Sequence, residues 1–350
     1  MQRGIINIFI TSCEITKGAW RAHEHKLKAI YELSDKKYSL TSDPESADMI
    51  LVGDVREEDW GTRVMNHDLI NKYPNKCFSL SDRDIPLILN HGIYTCGAKK
   101  SILSFGRVRT GSYTISYGDI FRNPFIENHV FSDQDYLEKE YLLTFIGRNS
   151  NKIRNNIFNL KFERPDIYIE DSSKKFDLWG RQKSGKKVER QKYYNMLLRS
   201  KFSLCPRGVG TSSMRTFESM KLGVAPIIVS DNWRLPKGPM WKDFSIFIKE
   251  KNIRDLEKIA ESHSDGYKEM GQKARKAFEA FFADEVYFNY VIDNCLDIMN
   301  KQLIPEVIYW KLNPLFILME KIRRKLRQEI REKIRRKLRR KLRRQEFKKI

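Results

Sequence analysis

The segment CPRGVGTSSMRTFE combines residue types that can bind a diphosphate group. Arg207 offers a planar guanidinium, and Gly208 allows the backbone to approach a ligand closely. Ser212 and Ser213 occupy the expected start of a helix, where backbone N–H groups and hydroxyls can face an anion. Arg215 falls in the first turn of that helix, where a cation is unfavourable unless an anion binds beside it. The segment therefore predicts a binding site for the phosphates of a nucleotide.

The apolar pattern around this segment predicts the elements that hold it. A buried strand is expected at 202–205, a helix at 212–222 that Gly223 ends, and a second strand at 226–229. Open α/β sheets bind ligands at the carboxyl ends of their strands, which is where Arg207 lies. An ordinary strand-helix-strand unit without a ligand is the alternative.

The rest of the chain shows the same alternation, in two halves. Strands are predicted at 5–10, 49–52 and 141–146, and helices at 20–33, 153–160 and 192–199. This pattern is typical of an α/β fold. It predicts an N-terminal domain at 1–140, a C-terminal domain with closing helices at 141–300, and a tail at 301–350.

Composition narrows the classes of protein that fit. Hydrophobic residues make up 41% of the 350 residues, which excludes wholesale disorder. The net charge of +21 suggests a nucleic-acid-binding protein, but residues 315–350 hold 17 Lys and Arg against four Glu, so most of the excess lies in the tail. The five cysteines are scattered and show no C-x-x-C spacing, which argues against a zinc site or a disulfide framework. No apolar run is long enough for a signal peptide or a membrane span, and no Asn begins a glycosylation sequon, which favours a cytoplasmic location.

Three stretches together resemble the exostosin family, glycosyltransferase family 47: SDPESADMILV, YLLTFIGRNSNKIRNNI, and YYNMLLRSKFSLCPRGVGTSSMRTFESMKLGVAPIIVSDNWRLP. The resemblance is to short microbial members, because the chain shows neither an N-terminal membrane anchor nor a second catalytic domain. It implies a GT-B architecture, in which two Rossmann-like domains face a cleft. The N-terminal domain would then lie on the acceptor side, and the C-terminal domain would bind a nucleotide-sugar donor, here expected to be a UDP-sugar. The resemblance also implies that the sugar is transferred with inversion.

The resemblance adds roles for two residues. Glu218 is expected to accept hydrogen bonds from the ribose hydroxyls, whereas its spacing alone allows an exposed ion pair with Arg215. Arg148, in the turn FIGRNS, is expected near the donor diphosphate, whereas a Gly-Arg turn alone is more typical of a solvent-exposed arginine. Asp231 and Asn232 either border the donor site or stabilise a turn.

An inverting transfer needs a general base on the acceptor side of the cleft. The candidates are side chains in loops that follow predicted strands of the N-terminal half: Asp54, Asp82, Asp84, His91 and Asp119. Asp82 is the first choice among them, and His91 is the second. The sequence DRD at 82–84 also matches an Asp-x-Asp metal site, and HEH at 23–25 is either a weaker metal signal or a helix surface. Because the arginines supply the positive charge, no metal cofactor is expected.

The tail contains a near-repeat of 12 residues in which an apolar residue recurs at every fourth position, at Ile322, Leu326, Ile330, Ile334, Leu338 and Leu342. Together with the aromatic and aliphatic residues before it, residues 307–350 predict a basic amphipathic helix that binds an anionic membrane surface. A protein partner and a nucleic acid are the alternatives, nucleic acid being the less favoured. The sequence thus predicts a glycosyltransferase of surface polysaccharide synthesis, at the inner face of the membrane, that uses a glycan or lipid-linked acceptor. A non-catalytic binding module and a nucleic-acid-binding protein are the other functions considered.

Overall fold

The computed structural model describes residues 5–14, 21–55, 61–99, 106–116, 122–132, 138–174 and 183–346. The chain divides into two compact units, Met1–Leu303 and Ile304–Ile350.

The first unit contains two parallel sheets, and the first sheet has six strands. They are β1 (Asn7–Ser12), β2 (Ser39–Leu40), β3 (Met49–Gly53), β4 (Cys77–Ser81), β5 (Gly92–Tyr94) and β6 (Val108–Arg109). Their order is β2-β1-β3-β4-β5-β6, and every pair is parallel. The strand order reverses between β1 and β3, and in such sheets the crevice beyond the carboxyl ends at this switch point is the usual ligand site.

The second sheet repeats this plan with five strands. They are β7 (Tyr141–Gly147), β8 (Ile167–Asp171), β9 (Ser200–Pro206), β10 (Ala225–Val229) and β11 (Ile246–Phe247). Their order is β11-β10-β9-β7-β8, again all parallel, with the switch point between β7 and β9. The strands β7, β9 and β10 are almost wholly buried, which explains why they are continuous apolar runs rather than alternating ones.

The helices of this unit connect the strands and cover the sheets. They are α1 (Ala22–Leu33), α2 (Thr62–Met65), α3 (Asp68–Lys72), α4 (Pro124–Glu127), α5 (Lys152–Phe158), α6 (Lys183–Leu198), α7 (Met214–Lys221), α8 (Leu256–Ser262), α9 (Tyr267–Phe281) and α10 (Asp284–Lys301). The predicted α/β fold with GT-B architecture, built on two Rossmann-like sheets, is confirmed. The predicted boundaries of its domains stay a prediction.

The last helix of the unit packs on the first sheet. Helix α10 lies against α1, β5 and β6, so the chain returns to its N-terminal half after completing the second sheet. The buried Tyr287 hydroxyl accepts a hydrogen bond of 2.7 Å from the N–H of Ser112. The core of the first sheet therefore includes side chains from α10 as far along the chain as Ile298.

A seam of backbone contacts and one indole join the two halves. The N–H of Lys99 donates to Asn232 O at 2.9 Å, and the N–H of Arg234 donates to Gly97 O at the same distance. Between them the indole of Trp233 is 2% exposed and packs edge-on against Phe217 of α7. Because these loops follow the carboxyl ends of their strands, the two carboxyl edges meet along this seam.

The second unit contains one long helix, α11 (Glu306–Glu346), with Pro314 within it. Among the described residues, no helix has a stretch that is both long and apolar enough to cross a membrane.

The substitution Trp233→Ala tests the shared core. We expect it to lower the free energy of unfolding by about 3–5 kcal/mol, because it removes a fully buried aromatic side chain and leaves a cavity. Urea unfolding followed by circular dichroism measures the change. The control is Met240→Ala, which shortens a side chain that is 72% exposed and should leave the midpoint almost unchanged. Equal effects of the two substitutions would contradict a core that both halves share.

Candidate functional site

The switch point of the second sheet lies between two polar turns. One turn follows Gly147 at the end of β7, and the other follows Pro206 at the end of β9. The expected diphosphate segment belongs to the second turn, and the expected Arg148 belongs to the first. Strand order therefore brings together two segments that the sequence analysis selected separately.

The guanidinium of Arg154, in the first turn of α5, joins these two turns. It donates to the carbonyl oxygens of Arg148 at 3.1 Å, Pro206 at 3.2 Å and Arg207 at 3.0 Å. Its hydrogen bonds thus go to carbonyl groups rather than to a carboxylate. Burial, together with the positive charge of Arg215, lowers the pKa of Arg154 to about 9, so the group is still charged at neutral pH.

Asn151 supports the same junction. Its side chain caps α5 by accepting the N–H of Arg154 at 3.0 Å, and it also donates to Arg207 O at 2.9 Å. The side chain of Arg148, in contrast, is exposed to solvent and contributes its carbonyl to the junction.

Arg215 lies in the first turn of α7, on the same side of the junction. Its guanidinium carbon lies 4.8 Å from the centre of the Phe145 ring and 5.4 Å from that of Tyr193, and one N–H donates to Ile146 O. Within the described part of the chain, its buried Nε has no hydrogen-bond partner. A buried donor without an acceptor destabilises a protein by about 1–3 kcal/mol, so this group indicates a place for an anion.

Glu218 follows one helical turn after Arg215 but has a different partner. Its Oε2 accepts a hydrogen bond of 2.8 Å from the hydroxyl of Tyr193. Burial raises the pKa of Glu218, although the positive charge of Arg215 opposes the rise. The arrangement differs from the exposed ion pair that spacing alone allowed.

Arg207 is charge-paired. Its guanidinium binds both carboxylate oxygens of Glu250, at 2.7 and 3.2 Å, and the N–H of Glu250 donates to Asp231 Oδ1 at 3.0 Å. Arg207 can therefore reach a phosphate only if it exchanges one oxyanion for another. Asp231 thereby links the end of β10 to the segment after β11, a contact that does not decide between the two roles predicted for it.

The loop from Gly208 to Ser213 lines the site with backbone. At Gly208, an added Cβ would lie 3.5 Å from the Arg154 guanidinium, which is ordinary van der Waals contact. Ser212 is buried, and Ser213 is the N-cap of α7, although its hydroxyl forms no capping hydrogen bond with the described backbone. At Gly210 a Cβ would lie 2.5 Å from Cys96 Sγ, so only glycine fits where the N-terminal half approaches.

Asp84 is the acidic side chain that approaches this loop from the first sheet. Its carboxylate accepts a hydrogen bond from the N–H of Gly210 and lies in the field of Arg154. Desolvation raises the pKa of Asp84 above its usual range, although the residue as a whole is exposed. A carboxylate of this kind is a better proton acceptor than an ordinary one.

Asp82 belongs to a second network, at the end of β4. Its Oδ2 accepts a hydrogen bond of 2.6 Å from the Ser116 hydroxyl, and its Oδ1 lies 3.5 Å from His23 Nε2. Burial alone would raise its pKa, but the hydrogen bonds from His23 and Ser116 outweigh burial and lower the pKa of Asp82 to about 2. Both oxygens of this carboxylate are thus engaged and weakly basic.

His23 connects Asp82 to the switch point of the first sheet. The N–H of Asp54 donates to His23 Nδ1 at 2.9 Å, so the ring proton lies on Nε2 and faces Asp82. Asp54 accepts the Ser12 hydroxyl at 2.8 Å and has a left-handed backbone with φ of 55°. The HEH sequence therefore contributes a buried histidine, not a helix surface, to this edge of the sheet.

His91 lies elsewhere. It precedes β5, so it lies at the amino edge of the sheet, where it is buried, stacks on Phe78 at 4.0 Å and bonds to Gln302 Oε1 at 2.8 Å. The loop that holds it does follow β4, but His91 lies at the far end of that loop, next to β5, and so away from the carboxyl edge at which a general base was expected. Asp119 lies outside the described residues.

Arg154 was not among the residues selected from the sequence, although it carried the same signal as Arg215, a cation in the first turn of a helix after a glycine turn. His23 was noted only within HEH, as a weak metal signal or a helix surface, because its partners Asp54 and Asp82 are remote in the chain. Among the described residues, no group of three His, Cys, Asp or Glu side chains is arranged to hold a metal ion.

Comparisons with known proteins concern the same part of the chain. Residues 127–263, which include Arg154, Arg215 and Glu218, match the model of the Exostosin GT47 domain. The exostosin-1 homolog of Caenorhabditis elegans is 24% identical over 304 residues, which are 75% of this chain and 77% of that protein. A probable glucuronoxylan glucuronosyltransferase of Arabidopsis thaliana is 37% identical over 71 residues, which are 20% of this chain and only 15% of that protein.

A solved glycosyltransferase structure from Rickettsia africae is 10% identical and covers 86% of this chain and 100% of that one, with a TM-score of 0.39. That score is too low to assign a fold.

The substitution Asp82→Asn tests the network of the first sheet. A folded-state pKa of about 2, below the usual 3.8, stabilises the fold above pH 4, and this contribution is lost as the pH falls from about 4 to about 2. We expect the substitution to lower the free energy of unfolding at pH 7 by about 2 kcal/mol. Denaturant titrations at a series of pH values measure it.

The control for this prediction is Asp265→Asn, which changes an exposed carboxylate. A difference between the wild type and Asp82→Asn that stays the same from pH 7 to pH 2 would contradict the low pKa.

Proposed function

Because this chain belongs to the exostosin GT47 family of glycosyltransferases, we propose that it is an inverting enzyme that moves a sugar from a UDP-sugar to a glycan or lipid-linked acceptor in surface polysaccharide synthesis. The observation that carries the proposal is the pair of guanidiniums at the switch point of the second sheet. Arg154 has no carboxylate among its hydrogen-bond acceptors in the described residues, and the buried Nε of Arg215 has no acceptor there at all.

The donor diphosphate fits this place by charge and by geometry. It carries about two negative charges at neutral pH, which the two guanidiniums would balance. The N-terminus of α7 adds backbone N–H groups to the positive charge of the two guanidiniums. Ser212 and Ser213 then line the phosphate site through their backbone.

Glu218 would bind the ribose of the donor. A carboxylate accepts two hydroxyl hydrogen bonds well, and the Tyr193 hydroxyl already holds Oε2 in place. Hydrogen bonds from ribose hydroxyls would also favour the ionised form of Glu218, which burial now disfavours.

Arg207 would join the site only when the donor binds. Its exchange of Glu250 for a phosphate oxygen trades one charged hydrogen bond for another, so the net gain in affinity is small. We therefore assign most of the diphosphate affinity to Arg154 and Arg215, and a smaller share to Arg207 and Arg148.

Asp84 is our choice of general base. It reaches the loop of Gly210 from the acceptor side, and its raised pKa suits proton abstraction from an acceptor hydroxyl. Asp82 is the residue that the sequence favours, but its oxygens are engaged by Ser116 and His23, which suits a role in positioning the loop that carries Asp84. Metal independence and a site of action at the inner face of the membrane remain predictions.

The donor site is tested by two substitutions and two ligands. We expect Arg215→Gln to weaken both UDP and pyrophosphate by about 10–100-fold, because it removes a charged donor to phosphate. We expect Glu218→Gln to weaken UDP by about tenfold and to leave pyrophosphate unchanged, because only UDP has a ribose. Isothermal titration calorimetry measures both.

The control is Arg199→Gln, an exposed arginine that pairs with Glu140 just before β9, at the opposite edge of the sheet from the junction. If Arg215→Gln folds normally and binds pyrophosphate as tightly as the wild type, the proposed diphosphate site is wrong.

The base is tested by Asp84→Asn. We expect kcat to fall about 10²–10⁴-fold with the Kd for UDP nearly unchanged, because the base acts on the acceptor. Turnover of a panel of UDP- and GDP-sugars measures activity, and in the wild type kcat should rise with pH as Asp84 ionises. In Asp84→Asn, kcat should not show this rise with pH.

Asp48→Asn, an exposed carboxylate of the same half, serves as the matched control. Wild-type kcat in Asp84→Asn would refute Asp84 as the base. Binding of UDP without turnover of any sugar donor in the wild type would instead support a non-catalytic binding module.

A further inference from the structure

A stripe of exposed apolar side chains runs along α11. Its members are Ile308, Leu312, Leu315, Met319, Ile322, Leu326 and Ile330, each between 42% and 58% exposed. The spacing alternates between four and three residues as far as Leu326, so at 100° per residue all seven fall within about 80° of the helix circumference. At 1.5 Å per residue the stripe is about 33 Å long.

This stripe is straighter and begins earlier than the near-repeat of the sequence suggested. Its first half comes from the segment before the basic repeat, and its second half comes from the repeat itself. Ile334, Leu338 and Leu342 lie outside the described side chains. The apolar stripe therefore begins in the segment before the basic repeat and continues into the repeat.

Cations flank the stripe on both sides. Lys311 and Lys325 are exposed on one side, and Arg323, which is 64% exposed, lies on the other. Over residues 321–344 the chain carries 15 Lys and Arg against two Glu. An apolar line bordered by cations is the pattern of a helix that lies in the plane of an interface.

We propose that this stripe inserts into the headgroup and acyl boundary of an anionic phospholipid bilayer, with the flanking cations on the lipid phosphates. This occupant satisfies both the apolar and the cationic part of the surface. A second copy of the helix would cover the stripe but would bring the flanking cations of two chains together. A nucleic acid would neutralise the cations but would leave seven apolar side chains in water.

Vesicle flotation of the full chain tests the proposal. The wild type should float with vesicles that contain about 30% phosphatidylglycerol and not with phosphatidylcholine alone. A variant with Leu315→Gln, Ile322→Gln and Leu326→Gln should partition at least about tenfold more weakly. The loss should be greatest at about 0.5 M NaCl, where charge attraction is screened.

The matched control keeps the same positions apolar, with Leu315→Met, Ile322→Leu and Leu326→Met, and should float as the wild type does. Circular dichroism checks the helix, and UDP binding of the Gln variant should equal that of the wild type, which separates this proposal from the donor site. Equal flotation of the Gln variant and the wild type would overturn the proposal. So would a dimer that the Gln variant disrupts without any vesicle binding, or binding to nucleic acid and not to vesicles.

Discussion

The guanidinium of Arg154 is the contact on which the donor side depends. It holds carbonyl oxygens from two turns that are remote in the chain, and so it sets the distance between the ends of β7 and β9 at the switch point. Because a guanidinium keeps its charge at neutral pH, the same group that ties the turns together also makes the place between them positive. The guanidinium of Arg154 therefore both stabilises the junction of the two turns and attracts an anion to it.

The two sheets have the same strand order but opposite electrostatics at their switch points. In the first sheet, Asp54 accepts hydrogen bonds from Ser12 and from the backbone of His23, so donors and acceptors are matched internally. In the second sheet, Arg154 donates to carbonyl oxygens, and the buried Nε of Arg215 has no hydrogen-bond partner in the described part of the chain. The same strand order therefore occurs with two kinds of carboxyl edge. At the first sheet the polar groups bind one another, and at the second sheet a few arginine side chains make the edge suited to an anionic ligand.

The sequence was most informative where local pattern decides the outcome. Buried parallel strands are continuous apolar runs, so β3, β7 and β10 were predicted to within a residue or two. Helix α6 begins nine residues before its predicted start, because its first turns are polar and carry no apolar period. His91 was assigned to the wrong edge, since a strand of three residues leaves too little pattern to show which side of it a loop lies on. Arg154 and His23 acquire their roles from partners that only the fold brings close, which single-sequence reasoning cannot rank.

The return of α10 to the first sheet has a consequence for how the chain matures on the ribosome. The N-terminal half contains its strands within the first 109 residues, but its core includes Tyr287 and Ile298. During synthesis on the ribosome, one face of the first sheet stays uncovered until nearly the whole first unit has emerged, because α10 is made last. One face of the second sheet has a separate core, whose fully buried residues end at Ala260, whereas its other face shares the core of the first sheet through Phe217 and Ile228. That one face can therefore be completed before the first sheet is covered, and the nascent N-terminal sheet is the segment most in need of protection from aggregation.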